Sequence, residues 1–147
     1  CGVGNDESLW CWGGNAQGQL GEAGNHDRFA ARQVPGLEGV VQVVAGLDYT
    51  CARRQDGAVY CFGNNEFGEL GRGGEAVDHD PVPAPVVSLP PADFIAAGRS
   101  HVCAEAAGAV YCWGSNGLGE LGYEPPQGAQ WYSSRPMRVI WPHERPR

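Results

Sequence analysis

The stretch Cys51-Ala52-Arg53-Arg54-Gln55-Asp56-Gly57-Ala58-Val59-Tyr60-Cys61-Phe62-Gly63-Asn64-Asn65-Glu66-Phe67-Gly68-Glu69-Leu70-Gly71 is the middle of three copies in this chain of 147 residues. Upstream, Cys1 and Cys11 enclose a similar segment, followed by Trp12-Gly13, Asn15 and a box from Gly18 to Gly21. Downstream, Cys103 and Cys112 lead into Trp113-Gly114, Asn116 and Gly119 to Gly122. The offset is 50 residues from Cys11 to Cys61 and 51 from Cys61 to Cys112. A fixed period of this size marks a repeat architecture in which each unit buries its core against its neighbours. Cut at the cysteines, the units are 1–50, 51–102 and 103–147, together one segment spanning 1–147.

Each copy reads as a few short antiparallel strands. Val40, Val41, Val43, Val44, Ala45 and Gly46 lead into Cys51, and Asp93, Phe94, Ile95, Ala96, Ala97 and Gly98 lead into Cys103. Such short apolar runs ending at glycine are strand signals. No helical period is sustained, and glycine recurs too often for a long helix.

The six cysteines fall into three evenly spaced pairs, each flanking a turn signal such as Asp56-Gly57. Opposed Cβ atoms in an antiparallel pair lie roughly 4.5–5.5 Å apart and a disulfide wants roughly 3.5–4.5 Å, so a small adjustment lets them bridge. The expected pairs are Cys1–Cys11, Cys51–Cys61 and Cys103–Cys112. Spacing adds a detail. The interval from Cys103 to Cys112 suits a two-residue turn, whereas the two longer intervals need an odd loop or a bulge. Zinc ligation and free buried thiols are the rival readings, although the intervals do not resemble the close pairs of structural zinc sites. Disulfides place the chain in an oxidising, extracytoplasmic compartment: secreted, periplasmic or cell-surface.

Alternation along the strands then sets the architecture. Cys61 points to one face and Tyr60 and Phe62 to the other, as do Cys11 with Trp10 and Trp12, and Cys112 with Tyr111 and Trp113. A sheet apolar on both faces must be covered on both, as in radially stacked blades.

At these residues the chain resembles the regulator of chromosome condensation repeat family. The motif is approximated by Cys51-Ala52, then Asp56-Gly57, Val59-Tyr60-Cys61-Phe62-Gly63, Asn65 and Gly68-Glu69-Leu70-Gly71, preceded by Val43-Val44-Ala45-Gly46 with Tyr49-Thr50. The resemblance covers the chain to about Gly122. It implies an all-β fold, a partial or multi-chain β-propeller of four-stranded blades, with about seven blades usual in a closed ring. It also implies action by binding proteins on the disc faces. The paired cysteines are similar to a secreted bacterial branch of the family, and they speak against the GTPase exchange of its nuclear member. Three repeats are too few to close a typical ring. The expectation is a segment of a longer propeller, with further blades from the same or another chain. A lipidated Cys1 is a rival that would spoil Cys1–Cys11.

Composition narrows the function. The net charge is −7 and all ten basic residues counted as Lys+Arg are arginine, with no basic run. Nucleic-acid binding needs clustered cations, so no nucleic-acid partner is expected. No apolar run approaches the ~18 residues of a membrane span. The glycine boxes lack the Gly-Lys-Ser/Thr of a phosphate loop, so no cofactor is expected, and their glycines are assigned to tight turns and close approach.

No catalytic constellation stands out, and the expectation is a protein without enzymatic activity. Four histidines occur: His26, His79, His101 and His143. His26-Asp27-Arg28 and Asp78-His79-Asp80 occupy roughly corresponding loops and suggest a metal or a general base, but a solvated polar loop is the simpler reading and no metal is expected. His101 aligns with Tyr49 and reads as structural. The third loop carries Trp131 and Tyr132, aromatics of the kind favoured at interfaces. His26, Asp27, Arg28, Asp78, His79, Asp80, Trp131 and Tyr132 are therefore the candidate partner-binding positions. The function expected is an extracytoplasmic interaction or scaffold module with a protein partner, the alternative being a carbohydrate-binding propeller using exposed aromatics.

Overall fold

The structure, a computed structural model, describes residues 1–74 and 77–141; His143 lies outside the described residues. All elements among them are strands: β1 (Gly2–Val3), β2 (Leu9–Gly13), β3 (Arg28–Gln33), β4 (Val40–Ala45), β5 (Tyr49–Arg54), β6 (Val59–Asn64), β7 (His79–Pro85), β8 (Ala92–Ala97), β9 (His101–Ala106), β10 (Ala109–Ser115) and β11 (Tyr132–Arg138). They form three antiparallel sheets in the orders β1-β2-β3, β4-β5-β6-β7 and β8-β9-β10-β11. Sheets and cysteine-counted units are offset: β4 falls within unit 1–50 yet opens the second sheet.

The cysteine hairpins follow the turn chemistry. Cys51 lies directly opposite Cys61, and Cys103 opposite Cys112. All three expected disulfides are formed, with Cα separations of 4.0, 4.1 and 4.1 Å, and no described cysteine is free. That leaves no thiol for zinc. Ala107 and Gly108 make the two-residue turn, both left-handed at φ 50° and 72°. The longer intervals close through three-residue loops ending in a left-handed residue, Gly57 in the second sheet and Glu7 in the first, at φ 82° and 63°.

The sheets stack face to face, and the alternation read from the sequence decides how. Cys11, Leu9, Leu20 and Val34 of the first sheet pack against Ala52 and Phe62 of the second. Cys51, Cys61 and Leu70 of the second pack against Val102, Ala104 and Trp113 of the third. Thus the sulfur face of one sheet receives the aromatic face of the next. The middle sheet is covered on both faces. The aromatic face of the first is not: Trp10 is 37% and Trp12 49% exposed, and Phe29 is fully exposed.

Polar groups fix the seams. The Gln42 amide donates to Ile95 O at 2.8 Å and accepts from Ile95 N at 3.0 Å, pairing a side chain of β4 with the backbone of β8. The Tyr49 hydroxyl lies 2.9 Å from Gly98 O and 2.6 Å from His101 O. A Cβ built on Gly46 would fall 2.0 Å from the Tyr49 ring, and one on Gly98 would fall 2.2 Å from the His101 ring. His101 is therefore the third sheet's counterpart of Tyr49, the structural position expected of it.

Candidate partner-binding rim

Each sheet carries a long loop between its last two strands, and a buried asparagine ties the loop down. Asn15, Asn65 and Asn116 accept the backbone N–H of Leu20, Leu70 and Leu121, each at 3.0 Å. Their amide groups donate back into the loop, to Gly24 O at 2.6 Å, Val77 O at 3.0 Å and Tyr123 O at 3.0 Å. Two successive turns then close each glycine box, as Gly68 N donates to Asn65 O and Gly71 N to Gly68 O. Asparagine suits this place because one side chain offers an acceptor to the buried N–H of the following leucine and donors to carbonyls of the loop.

The loops deliver every candidate position to one place in the fold. Register pairs Gly13 with Arg28, Asn64 with His79 and Ser115 with Tyr132. His26, Asp78 and Trp131 therefore correspond, as do Asp27, His79 and Tyr132, and Arg28, Asp80 and Ser133. All sit where the loop enters the outermost strand, at the same end of each sheet.

Not all of them are available. Asp27 accepts the backbone N–H of Asn15 at 3.0 Å. Arg28 pairs with Glu22 at 2.5 Å. Asp80 pairs with Arg72, whose guanidinium also donates to Cys61 O at 2.9 Å and Val82 O at 2.7 Å across the irregular register of β6 and β7. These three hold the rim's frame. His26, Asp78 and His79 are exposed, Trp131 is 62% exposed, and Tyr132 is half-buried in β11.

Two cavities open on the rim. One, of about 390 Å³, joins Gln17 of the first sheet to Asn64, Glu66, Asp78 and His79 of the second. The other, of about 340 Å³, lies against Gly119, Gly122, Tyr123 and Trp131. Gln17 and Glu66 escaped the sequence reading because they sit beside boxes assigned to turns, whereas Tyr123 opens the third loop, which its aromatics single out. Among the described residues, no three His, Cys, Asp or Glu side chains are grouped to hold a metal ion. The histidines of the first two loops, His26 and His79, belong to separate sheets.

Glu69, within its box, also escaped notice. It is fully buried, accepts the backbone N–H of Phe67 at 2.9 Å, and burial holds its carboxyl above the usual carboxylate range. Burial, with the Glu69 charge beside it, pushes the Tyr49 hydroxyl upward as well.

The family model of the regulator of chromosome condensation (RCC1) repeat matches residues 6–53 and 56–104, and a second model of that repeat matches 40–69. The chain belongs to the RCC1 repeat family. Among curated relatives, the human E3 ubiquitin-protein ligase HERC2 is 34% identical over 123 residues, 80% of this chain and 2% of that protein. The Arabidopsis thaliana ultraviolet-B receptor UVR8 is 37% identical over 115 residues, 76% of this chain and 26% of that one. The chain thus spans at most about a quarter of these relatives. Among solved structures, Prp20p of Saccharomyces cerevisiae superposes with a TM-score of 0.80 at 22% identity, covering 96% of this chain and 36% of that one. Human WBSCR16 gives 0.79 at 21% identity, with 94% and 34% covered. The RCC1 repeats here are blades of a partial propeller.

Proposed function

We propose that this chain is a non-catalytic, extracytoplasmic interaction module, one segment of a larger RCC1-type propeller, and that it recognises a protein partner through its loop rim. The observation that carries the reading is the rim itself. One backbone frame, latched by the same asparagine each time, presents a histidine in the first sheet, an Asp-His pair in the second and an exposed tryptophan in the third. Constant scaffolding with changing side chains is how loops carry recognition. The solved structure of Prp20p is described with its binding to Gsp1p and histones, and a further structure shows Prp20 bound to Kap60. Those partners belong to that protein; the mode of action is what this reading borrows. Three disulfides support the oxidising compartment. The net charge of −7 supports a protein rather than a nucleic acid as the ligand.

The test immobilises the oxidised chain and a D78A/H79A/W131A variant, and exposes both to the extracytoplasmic proteins of the source cells. The expected result is saturable retention of a protein by the parent chain, lost in the triple variant. Retention indifferent to the three substitutions would overturn the rim as the binding surface.

A further inference from the structure

Strands β3, β7 and β11 each end a sheet, and among the described residues no further strand pairs with them. Face-to-face stacking does not change this: the middle sheet is covered on both faces, yet the edge of β7 stays outermost. Register fixes which N–H groups of these strands point away from the sheet. Val34, Val86 and Val139 donate inward, to Leu9 O, Val59 O and Val110 O, each at 2.8 Å. N–H groups alternate in direction along a strand, so the residues one and three places earlier face outward. They are Gln33 and Ala31 in β3, Pro85 and Pro83 in β7, and Arg138 and Pro136 in β11. Proline has no N–H to offer, and its presence is a common way of blunting an edge strand. β7 therefore presents neither donor, and β11 lacks one of its two. β3 keeps both.

The chemistry along this edge narrows what it can take. Ala31, Arg32 and Gln33 are all exposed. The outward N–H and C=O groups of Ala31 and Gln33 are two successive rungs of a ladder. Arg32 stands between them, at the position where the side chains of opposed strands come closest. Glu22 feels the charge of Arg32 but is held by Arg28 at 2.5 Å. Two arginines against one glutamate leave a positive excess here, in a chain whose net charge is −7. A second copy of the chain is a poor fit. The two-fold register that pairs Ala31 with Gln33 sets Arg32 opposite Arg32, and like charges directly opposed repel.

We propose that the outer edge of β3 receives an extended acidic segment of a partner protein as an added antiparallel strand, hydrogen-bonded to Ala31 and Gln33, with a carboxylate opposite Arg32. Main-chain bonds to the two rungs supply the affinity, and the charge of Arg32 sets the register and selects the segment. The edges of β7 and β11 are closed to the same strand by their prolines. The inference goes beyond rim recognition, because Ala31, Arg32 and Gln33 lie outside the rim positions.

The test titrates the oxidised chain against a fluorescent, end-capped peptide of alternating threonine and valine with one central glutamate, read by anisotropy up to the millimolar range. The parent is expected to bind it saturably. Ala31→Pro copies Pro83 and Pro136, and Gln33→Pro copies Pro85, so each brings in a residue that the sister strands already carry. Each is expected to weaken binding by about tenfold. Arg32→Glu, or a peptide with arginine in place of the glutamate, is expected to weaken it by about threefold. Circular dichroism confirms that the variants fold. The peptide itself supplies a check that needs no variant. N-methylation of the two residues flanking the glutamate, whose N–H groups face β3, is expected to abolish binding, whereas N-methylation of the glutamate is not. A parent that binds no peptide, proline variants that bind as the parent does, or indifference to the site of methylation would overturn the proposal. So would self-association of the parent that Ala31→Pro abolishes, since the occupant would then be a second copy. None of these results bears on retention of a partner by the rim.

Discussion

The indole N–H of Trp113 donates across the second seam to the main-chain carbonyl of Glu69, at 2.8 Å and out of reach of solvent. The first seam has Phe62 in the same place, with no donor to offer. The two seams thus share a shape and differ by one hydrogen bond. Trp113→Phe is expected to destabilise the fold by about 1–3 kcal/mol, since it leaves a buried acceptor unpaired. Trp113→Ala adds a cavity and is expected to lose about 3–5 kcal/mol. Urea unfolding of the oxidised chain separates the two.

Glu69 gives the fold a pH dependence whose sign is fixed by burial. Its folded-state pKa lies above the unfolded value of 4.5, so the folded chain takes up the proton first. The stabilisation is complete below pH 4.5 and is lost as pH rises through the folded pKa. Glu69→Gln, which copies Gln19 of the first sheet, is expected to be more stable than the parent at pH 7, with the difference shrinking as pH falls toward 4.5. Melting curves of both proteins between those limits check this.

The asparagine latch predicts a local effect as well as a global one. Asn65→Ala leaves the buried Leu70 N–H unpaired and releases Val77 C=O to water, and is expected to lose about 1–3 kcal/mol. It should also speed amide exchange at Asp78 and His79 more than in the β5–β6 hairpin. Uniform acceleration across the sheet would mean that the residue holds the core and not the loop.

At the two-residue turn, Ala107 occupies a left-handed conformation that an alanine side chain resists. Asparagine is preferred there before glycine. Ala107→Asn is expected to raise stability by about 1 kcal/mol, read as an upward shift in Tm.

Much of this was legible because it is local and repeated. The disulfides, the turn lengths and the strands leading toward Cys51 and Cys103 follow from spacing within about twenty residues. The sulfur and aromatic faces follow from alternation alone. What lay beyond the sequence is long-range. Nothing near Trp12 or Phe62 shows that one is open and the other covered, because the covering of Phe62 comes from another sheet. Asp27, Arg28 and Asp80 read as free rim groups, yet each is held by a residue outside its own short motif: Asn15, Glu22 and Arg72. Glu69 read as a polar letter in a turn, when the neighbouring sheet closes over it. The signal that could have revealed the latch was present, since asparagine stands at the same place in all three copies.

Gln42 has a consequence for the seam. Its amide grips Ile95 at two points, so sliding or splaying β4 against β8 would break both bonds. One glutamine side chain thereby ties the backbone of β8 to β4 across the seam, so the two sheets are joined at this edge by directional bonds as well as by apolar packing. Phe94 takes the corresponding place in the third sheet, opposite Glu105 as Gln42 is opposite Arg53. A phenyl ring has neither donor nor acceptor with which to hold a backbone in that way, so this position offers a directional bond in the second sheet and only apolar surface in the third.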